Sequence, residues 1–460
     1  MLNLLKRHKT ITLIIGDILV LYFSLFAALF VRYPHSFNLE TWRQHLFSFS
    51  IIYIVWILIF YINDLYEISL SKEPIKLLKQ FFQALLINVA FTVAFFYFKP
   101  VIAPKRNLLL IVVFFIITFY LWRHIFYLFI KSKTMKIRIG FIGLNKEVLE
   151  IIKYLIENPH LSYQVVFVLA LKEKNVLLPK IPKPIKIYQG LSNLNQILKG
   201  TPLNKAIVAM APENNPVLAK EIYHSSSDME IVYFPNFYEE ITKKVPLEMI
   251  NRLWLKNQAN GKSRFYNFSK RTFDIFLAMI GGIIFIIMLP FLTIAYLATD
   301  GFPIFFSQIR IGKNNKKIRI FKLRTMVKGA ERERPLWAEE NDVRVTSIGK
   351  FLRKFYIDEL PQSANILKGE MSVIGPRPER PEFVQILEKE VTFYPLRHLV
   401  KPGVTGWAQI NSFYARSIED SIEKTKYDLY YVKNCSLLFD IDIVLKTIKM
   451  VFSKREKKNY

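Results

Sequence analysis

The stretch Tyr356-Ile357-Asp358-Glu359-Leu360-Pro361 places two adjacent carboxylates just before a proline. Shortly after it, Gly375-Pro376-Arg377-Pro378 fixes an arginine between two prolines, which restrict the backbone there. Carboxylates are hard oxygen ligands for Mg²⁺ and can act as nucleophiles. An arginine grips phosphate through its planar fork of donors. Together these residue types indicate phosphoryl-transfer chemistry on a diphosphate substrate, with Asp358 and Glu359 as the candidate catalytic and metal-binding pair.

Basic residues accompany this pair on both sides. The segments Gln308–Gly312 and Phe321–Met326 alternate apolar and cationic residues, as a strand does when one of its faces points at an anion. Scattered lysines elsewhere are better explained as a solvated face, and an Asp-Glu-Leu-Pro string alone also occurs at exposed helix starts. The residues that we predict to bind phosphate or substrate are Arg310, Lys322, Arg324, Arg377 and Arg397.

A further loop, Lys401–Ile410, contains two glycines, a proline and Trp407. Such a loop can expose backbone N–H groups, or place its tryptophan against a base or a lipid surface. A purely structural turn is the alternative. His398, just upstream of the loop, is another candidate for a phosphate contact.

The amino-terminal region, residues 1–134, contains apolar runs close to or above the ~20 residues that span a bilayer as a helix. With 52% hydrophobic residues and a formal net charge of +27, the chain fits a membrane protein with basic cytoplasmic flanks better than a nucleic-acid binder. Asp17 is either a functional acid, or it snorkels or pairs with a neighbouring helix. The runs that we predict to form a helical bundle are Thr10–Val31, Leu46–Ile62, Lys79–Phe98 and Leu108–Ile130.

Residues 135–236 are predicted to form an α/β domain with a parallel, Rossmann-like sheet, because strand-like and helix-like segments alternate. A nucleotide-binding G-x-G-x-x-G turn anchored on Gly143 would need glycines where Asn145 and Val148 stand. We therefore expect a degenerate domain with a structural or regulatory role, and nucleotide binding is the alternative. The predicted strands are Ile137–Gly143, Gln164–Ala170, Ala206–Met210 and Glu230–Phe234.

A polar, basic linker is predicted over residues 237–267, and a third region, residues 268–460, follows it. This third region is dense with phosphate-capable residues and contains one further apolar run, Ile275–Leu297. We predict a membrane-associated α+β catalytic domain here, lying on the inner face of the membrane.

The apolar run in this domain is flanked by basic residues on both sides, among them Lys270 and Arg271, which favours both ends in the cytoplasm. Pro290 removes one backbone hydrogen bond and can bend the helix. We therefore predict a re-entrant helix over residues 272–298 that dips into one leaflet. A spanning helix with a tolerated proline kink is the alternative.

Cysteine and histidine usage adds little chemistry. A single cysteine, Cys435, excludes a disulfide within the chain and carries no redox signature. The seven histidines show no metal-ligand spacing, so zinc is not expected.

The motifs of residues 268–460, taken in order, closely resemble those of the bacterial sugar transferase family. These are polyprenyl-phosphate hexose-1-phosphate transferases, also called monotopic phosphoglycosyl transferases. The preceding helices and α/β domain are more loosely similar to the large subclass, which includes the undecaprenyl-phosphate galactose and glucose phosphotransferases. The motifs are Lys270-Arg271-x-x-Asp274, Gly301-x-Pro303, Gln308-x-Arg310-x-Gly312, Phe321-Lys322-x-Arg324-x-Met326, Asp358-Glu359-x-Pro361-Gln362, Asn365-x-Leu367-x-Gly369-x-Met371-Ser372, Gly375-Pro376-Arg377-Pro378 and Lys401-Pro402-Gly403-Val404-Thr405-Gly406.

The resemblance implies transfer of hexose-1-phosphate from a UDP-sugar to undecaprenyl phosphate with release of UMP, the first membrane step of exopolysaccharide, capsule or O-antigen assembly. It implies that Asp358 is the nucleophile, that Glu359 assists in metal or proton handling, and that Mg²⁺ is the cofactor. It places the re-entrant break at Pro290 and the active site on the cytoplasmic face of the bacterial inner membrane. A homo-oligomer is left open, and no nucleic-acid partner is expected.

Three positions depart from the family pattern. Glu370 stands where aspartate is common, Thr325 where serine is common, and Tyr356-Ile357 replaces a small residue and leucine. These changes leave undetermined which donor sugar is used. They remove no charged residue that the chemistry needs. Two rival hypotheses are a non-catalytic membrane scaffold or regulator of polysaccharide assembly, and a membrane protein that binds polyanions through charge alone.

Overall fold

The structure is a computed structural model that describes residues 2–35, 37–66, 74–98, 105–132, 136–170, 185–190, 194–209, 229–250, 262–330, 342–412 and 417–452. The chain divides into two compact units, Met1–Val232 and Tyr233–Tyr460. Residues 251–261 of the predicted linker lie outside the described residues.

Long apolar helices open the first unit, and they confirm the runs predicted from hydropathy. Each is long and apolar enough to cross a membrane. Phe60 and Phe115 stack near the centre of their shared core, and Trp56 packs edge-on against both rings. Large apolar side chains such as Leu19, 65% exposed, cover the outside, as expected of helices that face lipid. The helices are α1 (Leu2–Arg32), α2 (Leu39–Ile62), α3 (Pro74–Phe98) and α4 (Lys105–Ser132).

Asp17 pairs with a neighbouring helix, which was one of the two alternatives for this acid. Arg123 on α4 donates from Nη2 to Asp17 Oδ2 at 2.6 Å and from Nη1 to the carbonyl of Leu65 at 2.6 Å. Asp17 is fully buried. A charge inside an apolar bundle is tolerated when it is paired in this way, so the contact ties α1 to α4.

The rest of the first unit confirms a parallel sheet combined with helices. The strand order is β3-β2-β1-β4-β5, and β1 runs parallel to both β2 and β4. Asn145 caps α5 by accepting a hydrogen bond from the Val148 amide at 2.8 Å. A polar cap thus occupies one of the positions that a phosphate-binding turn fills with glycine. The elements are β1 (Ile137–Ile142), α5 (Lys146–Glu157), β2 (Tyr163–Ala170), β3 (Lys186–Gln189), α6 (Leu194–Gly200), β4 (Lys205–Val208) and β5 (Glu230–Tyr233).

The second unit begins with a helix, α7 (Phe234–Thr242), in the first part of the segment that was expected to be a linker. Phe234, Phe237 and Tyr238 are fully buried. Their spacing of three and four residues puts them on one helical face, although the surrounding composition is polar. The chain after α7 contributes Val245 to an apolar cluster of the second unit.

The remaining elements form a helix-rich domain with two small sheets. β6 and β7 form an antiparallel hairpin, and β8 pairs with β9 in parallel. In chain order the helices and strands are α8 (Arg264–Ala298), β6 (Phe305–Ile311), β7 (Lys317–Leu323), α9 (Ser347–Lys354), α10 (Ser363–Lys368), β8 (Ser372–Ile374), α11 (Pro381–Glu390), β9 (Gly403–Thr405), α12 (Trp407–Asn411), α13 (Ile418–Asn434) and α14 (Leu437–Phe452). Short 3₁₀ helices cover Lys313–Asn315, Leu247–Met249, Ile357–Gln362 and Tyr394–Leu399.

Helix α8 is one 35-residue helix that contains Pro290 and contacts the second unit along both halves. Near its start, Arg271 donates to two carbonyls at the end of α10, at 2.6 and 2.8 Å. One turn later, Asp274 accepts a hydrogen bond from Ser372 Oγ at 2.9 Å. Near its end, the Tyr296 hydroxyl donates to the carbonyl of Arg324. The apolar helix is therefore an integral part of this unit.

Replacing Leu247 by alanine is expected to destabilise the second unit by about 2–4 kcal/mol, because the lost methyl groups leave a cavity in the cluster that also contains Val245 and Leu429. Thermal unfolding of the full chain in detergent measures this change. Ile386→Ala on α11, where the side chain is 46% exposed, is the matched control and is expected to cost far less. Equal losses for the two variants would contradict the packing of residues 234–250 against this unit.

Candidate active site

The two adjacent carboxylates lie on the 3₁₀ helix Ile357–Gln362, directly after α9. Tyr356, a non-glycine residue, has a φ of 57°, and this left-handed conformation turns the chain from one helix into the next. The turn carries the pair into the interior, where Asp358 is 7% exposed and Glu359 is 5% exposed. Two acids are thus buried side by side, which requires compensating charge.

Two cations from different elements compensate Glu359. Lys322 on β7 donates from Nζ to Glu359 Oε1 at 2.7 Å. Arg377, between β8 and α11, donates from Nη2 to the same oxygen at 2.5 Å and from Nη1 to Oε2 at 3.3 Å. The structure therefore brings together three of the predicted residues, with Asp358 beside them. The cleft next to this cluster is lined by Arg310, Ile320, Lys322, Gln362, Arg377 and Pro378.

The two carboxyl groups differ in their pKa. Burial works against the charge on Glu359, but the charges of Arg377 and Lys322 outweigh it and lower the pKa of Glu359 to about 2. Burial, aided by the negative charge of Glu359, raises the pKa of Asp358 above its usual value, although nearby cations oppose the shift. Burial also lowers the pKa of Lys322, against the pull of Glu359. Glu359 is thus the fixed anion of the pair.

Asp358 is the uncommitted member of the pair. Its carboxylate accepts no hydrogen bond from the part of the chain that the structure describes, and its environment is set by burial and by the charges around it. A carboxylate that is not tied up by donors keeps its oxygens available for a metal ion or for attack on an electrophile.

The loop at Lys401–Ile410 has a structural role. The amide of Gly403 donates to the Pro376 carbonyl at 3.0 Å, and β9 lies directly against β8. A side chain at Gly403 would collide with the backbone of Gly375, so this close approach requires glycine. The Trp407 indole donates to a protein carbonyl, that of Lys243, at 3.0 Å. The structural alternative considered for this loop is the one found.

Two of the predicted substrate-binding arginines contact the Pro376–Glu379 turn. Arg310 on β6 reaches Glu379 Oε2 at 3.7 Å and the Pro378 carbonyl at 3.4 Å. Arg397 is 2% exposed and pairs with Asp428 at 2.7 Å. Both hold protein atoms in this structure.

Arg324 lies at the junction of β7 and the end of α8. Its Nη2 donates to the carbonyls of Asp300 and Gly301, at 2.8 and 2.5 Å. Its guanidinium also lies 5.9 Å from the centre of the Tyr296 ring. These contacts join the β6–β7 hairpin to α8. A substrate contact for Arg324 stays a prediction.

The residues of the K-R-x-x-D motif anchor the start of α8 rather than lining the carboxylate cleft. Lys270 lies 3.3 Å from Asp274 and 3.5 Å from Asp440. Tyr431 donates to the other oxygen of Asp440 at 2.7 Å. This buried network fixes α8 against α13 and α14.

Sequence reasoning missed Glu379 and Asp428 as parts of the site. Glu379 accepts an ion pair from Lys424, and its pKa is lowered to about 2 by the charges of Lys424, Arg397 and Arg310, which outweigh burial. Glu379 directly follows the Pro-Arg-Pro motif, and this position could have marked it as a candidate site residue. Asp428 lies in the middle of α13, and no local pattern marks it.

Among the residues that the structure describes, the carboxylate pair supplies the candidate metal ligands of this site. No group of three or more His, Cys, Asp or Glu side chains suited to a metal ion occurs within the described ranges. Mg²⁺ in phosphate-handling sites uses one or two carboxylates together with substrate oxygens. Asp358, which accepts no hydrogen bond from described residues, and the weakly engaged Oε2 of Glu359 fit such a shared site.

Comparison with known proteins identifies the second unit. A family profile described as bacterial sugar transferase matches residues 265–454. The chain is 40% identical over 226 residues to the UDP-N-acetylgalactosamine-undecaprenyl-phosphate N-acetylgalactosaminephosphotransferase of Aeromonas hydrophila, covering 48% of this chain and 52% of that protein. The chain thus matches about half the length of that relative.

Two other relatives are matched over a larger share of their own length. The UDP-glucose:undecaprenyl-phosphate glucose-1-phosphate transferase of Klebsiella pneumoniae is 28% identical over 464 residues, which cover 94% of this chain and 93% of that protein. An uncharacterized sugar transferase of Bacillus subtilis is 41% identical over 152 residues, 33% of this chain and 71% of that protein. The family profile thus matches within the second unit, and the Klebsiella relative extends the similarity over nearly the whole chain.

Replacing Glu359 by glutamine is expected to lower stability at pH 7 by about 2–3 kcal/mol and to flatten its acid dependence. Because the pKa of Glu359 falls from 4.5 to about 2 on folding, its ionised form stabilises the protein above pH 4.5. That stabilisation is lost as the pH falls towards 2, where the protonated acid resembles glutamine. The gap between wild type and variant in urea unfolding should therefore shrink from pH 6 to pH 3.

Glu382→Gln serves as the control for this experiment, since that side chain is 55% exposed on α11. It should leave the pH dependence of stability close to that of wild type. A gap between wild type and Glu359→Gln that stays constant with pH would show that the two cations do not hold Glu359 ionised.

Proposed function

The chain belongs to the bacterial sugar transferase family, and we propose that it transfers a hexose 1-phosphate from a UDP-sugar to undecaprenyl phosphate, with release of UMP. One observation carries the proposal: the uncommitted Asp358 carboxylate lies beside Glu359, which Lys322 and Arg377 hold as an anion. The named activities of the Aeromonas and Klebsiella relatives support this choice of donor and acceptor class. The reaction starts the assembly of a cell-surface polysaccharide.

The proposed chemistry proceeds in two displacements at one phosphorus atom. An Asp358 oxygen attacks the sugar-proximal phosphorus of the donor, and the bond from that phosphorus to the bridging oxygen breaks, so UMP leaves with the electron pair. An oxygen of the lipid phosphate then attacks the phosphosugar–Asp358 intermediate and releases the carboxylate. Covalent catalysis thus splits a difficult encounter between anions into two steps.

The surrounding cations offset the negative charges of the groups that react in these two steps. The attacking carboxylate, the diphosphate and the lipid phosphate are all anions, so the site needs positive charge that is already in place. Lys322 and Arg377 line the cleft, and both interact electrostatically with Asp358. Because Arg377 is about one-third exposed, its guanidinium can contact a donor phosphate while it holds Glu359.

We propose Mg²⁺ as the cofactor, with Asp358 and Glu359 as its protein ligands. When bound, the ion would neutralise charge on the diphosphate as a Lewis acid. The chain's own residues orient the carboxylates: the 3₁₀ helix fixes both backbones, and Arg377 and Lys322 fix the side chain of Glu359.

We also propose that α8 is re-entrant and that the catalytic unit lies on the cytoplasmic face of the inner membrane. Contacts of both halves of α8 with one unit support this, since a spanning helix would carry one end away from a domain on the other side. Basic residues flank the helix at both ends. Pro290 marks the place where the backbone can bend.

The sheet of the first unit is best classed as Rossmann-like. Its strand order, β3-β2-β1-β4-β5, is the first part of the order found in doubly wound dinucleotide-binding sheets. The capping Asn145 argues for a regulatory or structural role instead of dinucleotide binding. Saturable binding of a dinucleotide to the purified full chain would contradict this role.

The purified full chain in nanodiscs is expected to release UMP when it is given undecaprenyl phosphate, Mg²⁺ and the matching donor from a panel of UDP-sugars. Asp358→Asn should abolish release, because an amide cannot form the covalent intermediate. EDTA should also abolish it. Asp420→Asn on α13, an exposed aspartate away from the site, is the control that keeps activity. Folded protein that releases no UMP with any donor would favour a scaffold role.

Cysteines placed at the two ends of α8 are expected to react from the same side of the membrane. In a Cys435→Ser background, Phe268→Cys and Phe302→Cys, both at exposed positions, should react with an impermeant maleimide in inside-out vesicles only. His35→Cys, between α1 and α2, should react in right-side-out vesicles instead. Labelling of Phe302→Cys from the outer side would establish a spanning helix.

A further inference from the structure

The turn that presents Arg377 is held at every carbonyl. The Pro376 carbonyl accepts from the Gly403 amide at 3.0 Å, and the Glu379 carbonyl accepts from the Ile311 amide at 2.9 Å. Arg310 donates to the Pro378 carbonyl at 3.4 Å. The Arg377 carbonyl accepts from Arg397 Nη2 at 2.9 Å. Because prolines have no amide N–H to donate, these carbonyls are the main backbone groups through which hydrogen bonds can fix the turn.

The bond to the Arg377 carbonyl comes from a buried ion pair. Arg397 and Asp428 are each 2% exposed at their side chains, and Asp428 Oδ2 accepts from Arg397 Nη2 at 2.7 Å and from Nε at 3.1 Å. The remaining nitrogen, Nη1, donates to the Tyr394 hydroxyl at 3.0 Å. Every nitrogen of this guanidinium is therefore bonded to the protein. Arg397 is built to hold the turn.

The position of the turn decides where the Arg377 side chain reaches. Both terminal nitrogens of Arg377 meet Glu359, at 2.5 and 3.3 Å, in a two-point contact. Two-point contacts of this kind depend on geometry, and a shift of ~1 Å is enough to break one of the bonds. Glu359, next to the reacting carboxylate, would then keep only one bond from Arg377 beside that from Lys322.

We propose that Asp428 is a positioning residue for the transfer reaction: it orients Arg397, which fixes the carbonyl of Arg377 and so aims Arg377 at Glu359. This inference rests on the proposed function for the reaction that it serves. It also reassigns Arg397 from substrate binding to support of the turn.

The first test is the steady-state kinetics of Asp428→Asn in the full chain, with UMP release as the readout. The variant is expected to lower kcat about tenfold or more, because misplacement of a catalytic contact by ~1 Å has costs of that order. The KM for the UDP-sugar should change less than kcat. Asp420→Asn, the same substitution at an exposed position on the same helix, should stay within about twofold of wild type.

A double-mutant cycle separates positioning from general damage. In an Arg377→Ala background, Asp428→Asn should cost less than about twofold more, because the side chain that it positions is already gone. A loss of kcat that is equal in both backgrounds would overturn the proposal. So would an Asp428→Asn variant that is folded and fully active.

Loss of one member of a buried pair can unfold a protein, so a second variant removes both charges. Arg397→Met combined with Asp428→Leu should keep the unfolding temperature near that of wild type, yet show the same loss of kcat, since the Arg397 donor to the Arg377 carbonyl is then gone. A stable, fully active double variant would refute the positioning role.

Hydrogen–deuterium exchange tests the same support without relying on the reaction. In Asp428→Asn, the amides of Ile311 and Gly403, which bond to the turn, should exchange faster than in wild type or in Asp420→Asn. Unchanged exchange at both amides would overturn the proposal. If the wild-type protein releases no UMP with any donor, the proposed function fails, and exchange still decides whether Asp428 holds the turn.

Discussion

The burial of the Glu359 carboxylate between two cations is the constraint on which the second unit depends. Taking an ionised acid out of water costs several kcal/mol unless its partners are placed well. One partner, Lys322, comes from a hairpin strand, and the other, Arg377, comes from a proline-bounded turn more than fifty positions further along the chain. Both elements must be in place together. Asn365 helps, because it bonds to the backbone of β7 through both ends of its amide.

The same constraint separates the roles of two neighbouring acids. Glu359 receives all the close hydrogen bonds and keeps its charge, while Asp358 shares the burial and accepts none from described residues, so its pKa moves in the opposite direction. Environments that push the pKa values of paired carboxyl groups apart are how sites assign different tasks to chemically similar groups. Under the proposed function, one acid organises the cations and its neighbour reacts.

The sequence predicted what depends on local pattern, and it could not show contacts that depend on distant residues. Apolar length was sufficient for α1 to α4, and alternating charge marked Lys322 on a strand. Arg397 has the same local appearance as a phosphate-binding arginine, but its partner Asp428 lies on another helix, and only the fold brings them together. The helix α7 was missed because three buried aromatic residues were outweighed by polar neighbours.

A donor from water and an acceptor from the membrane can share one site only if the lipid-facing helix and the catalytic carboxylates belong to one body. The packing meets that condition. Leu292 and Tyr296 of α8 share a cluster with Leu323 of β7, and Ala278 shares another with Ile320 of the same strand. The strand that supplies Lys322 to Glu359 therefore rests on both halves of α8. Under the proposed function, the packing of α8 against β7 therefore holds Lys322 and Glu359 close to the helix that we propose enters the membrane.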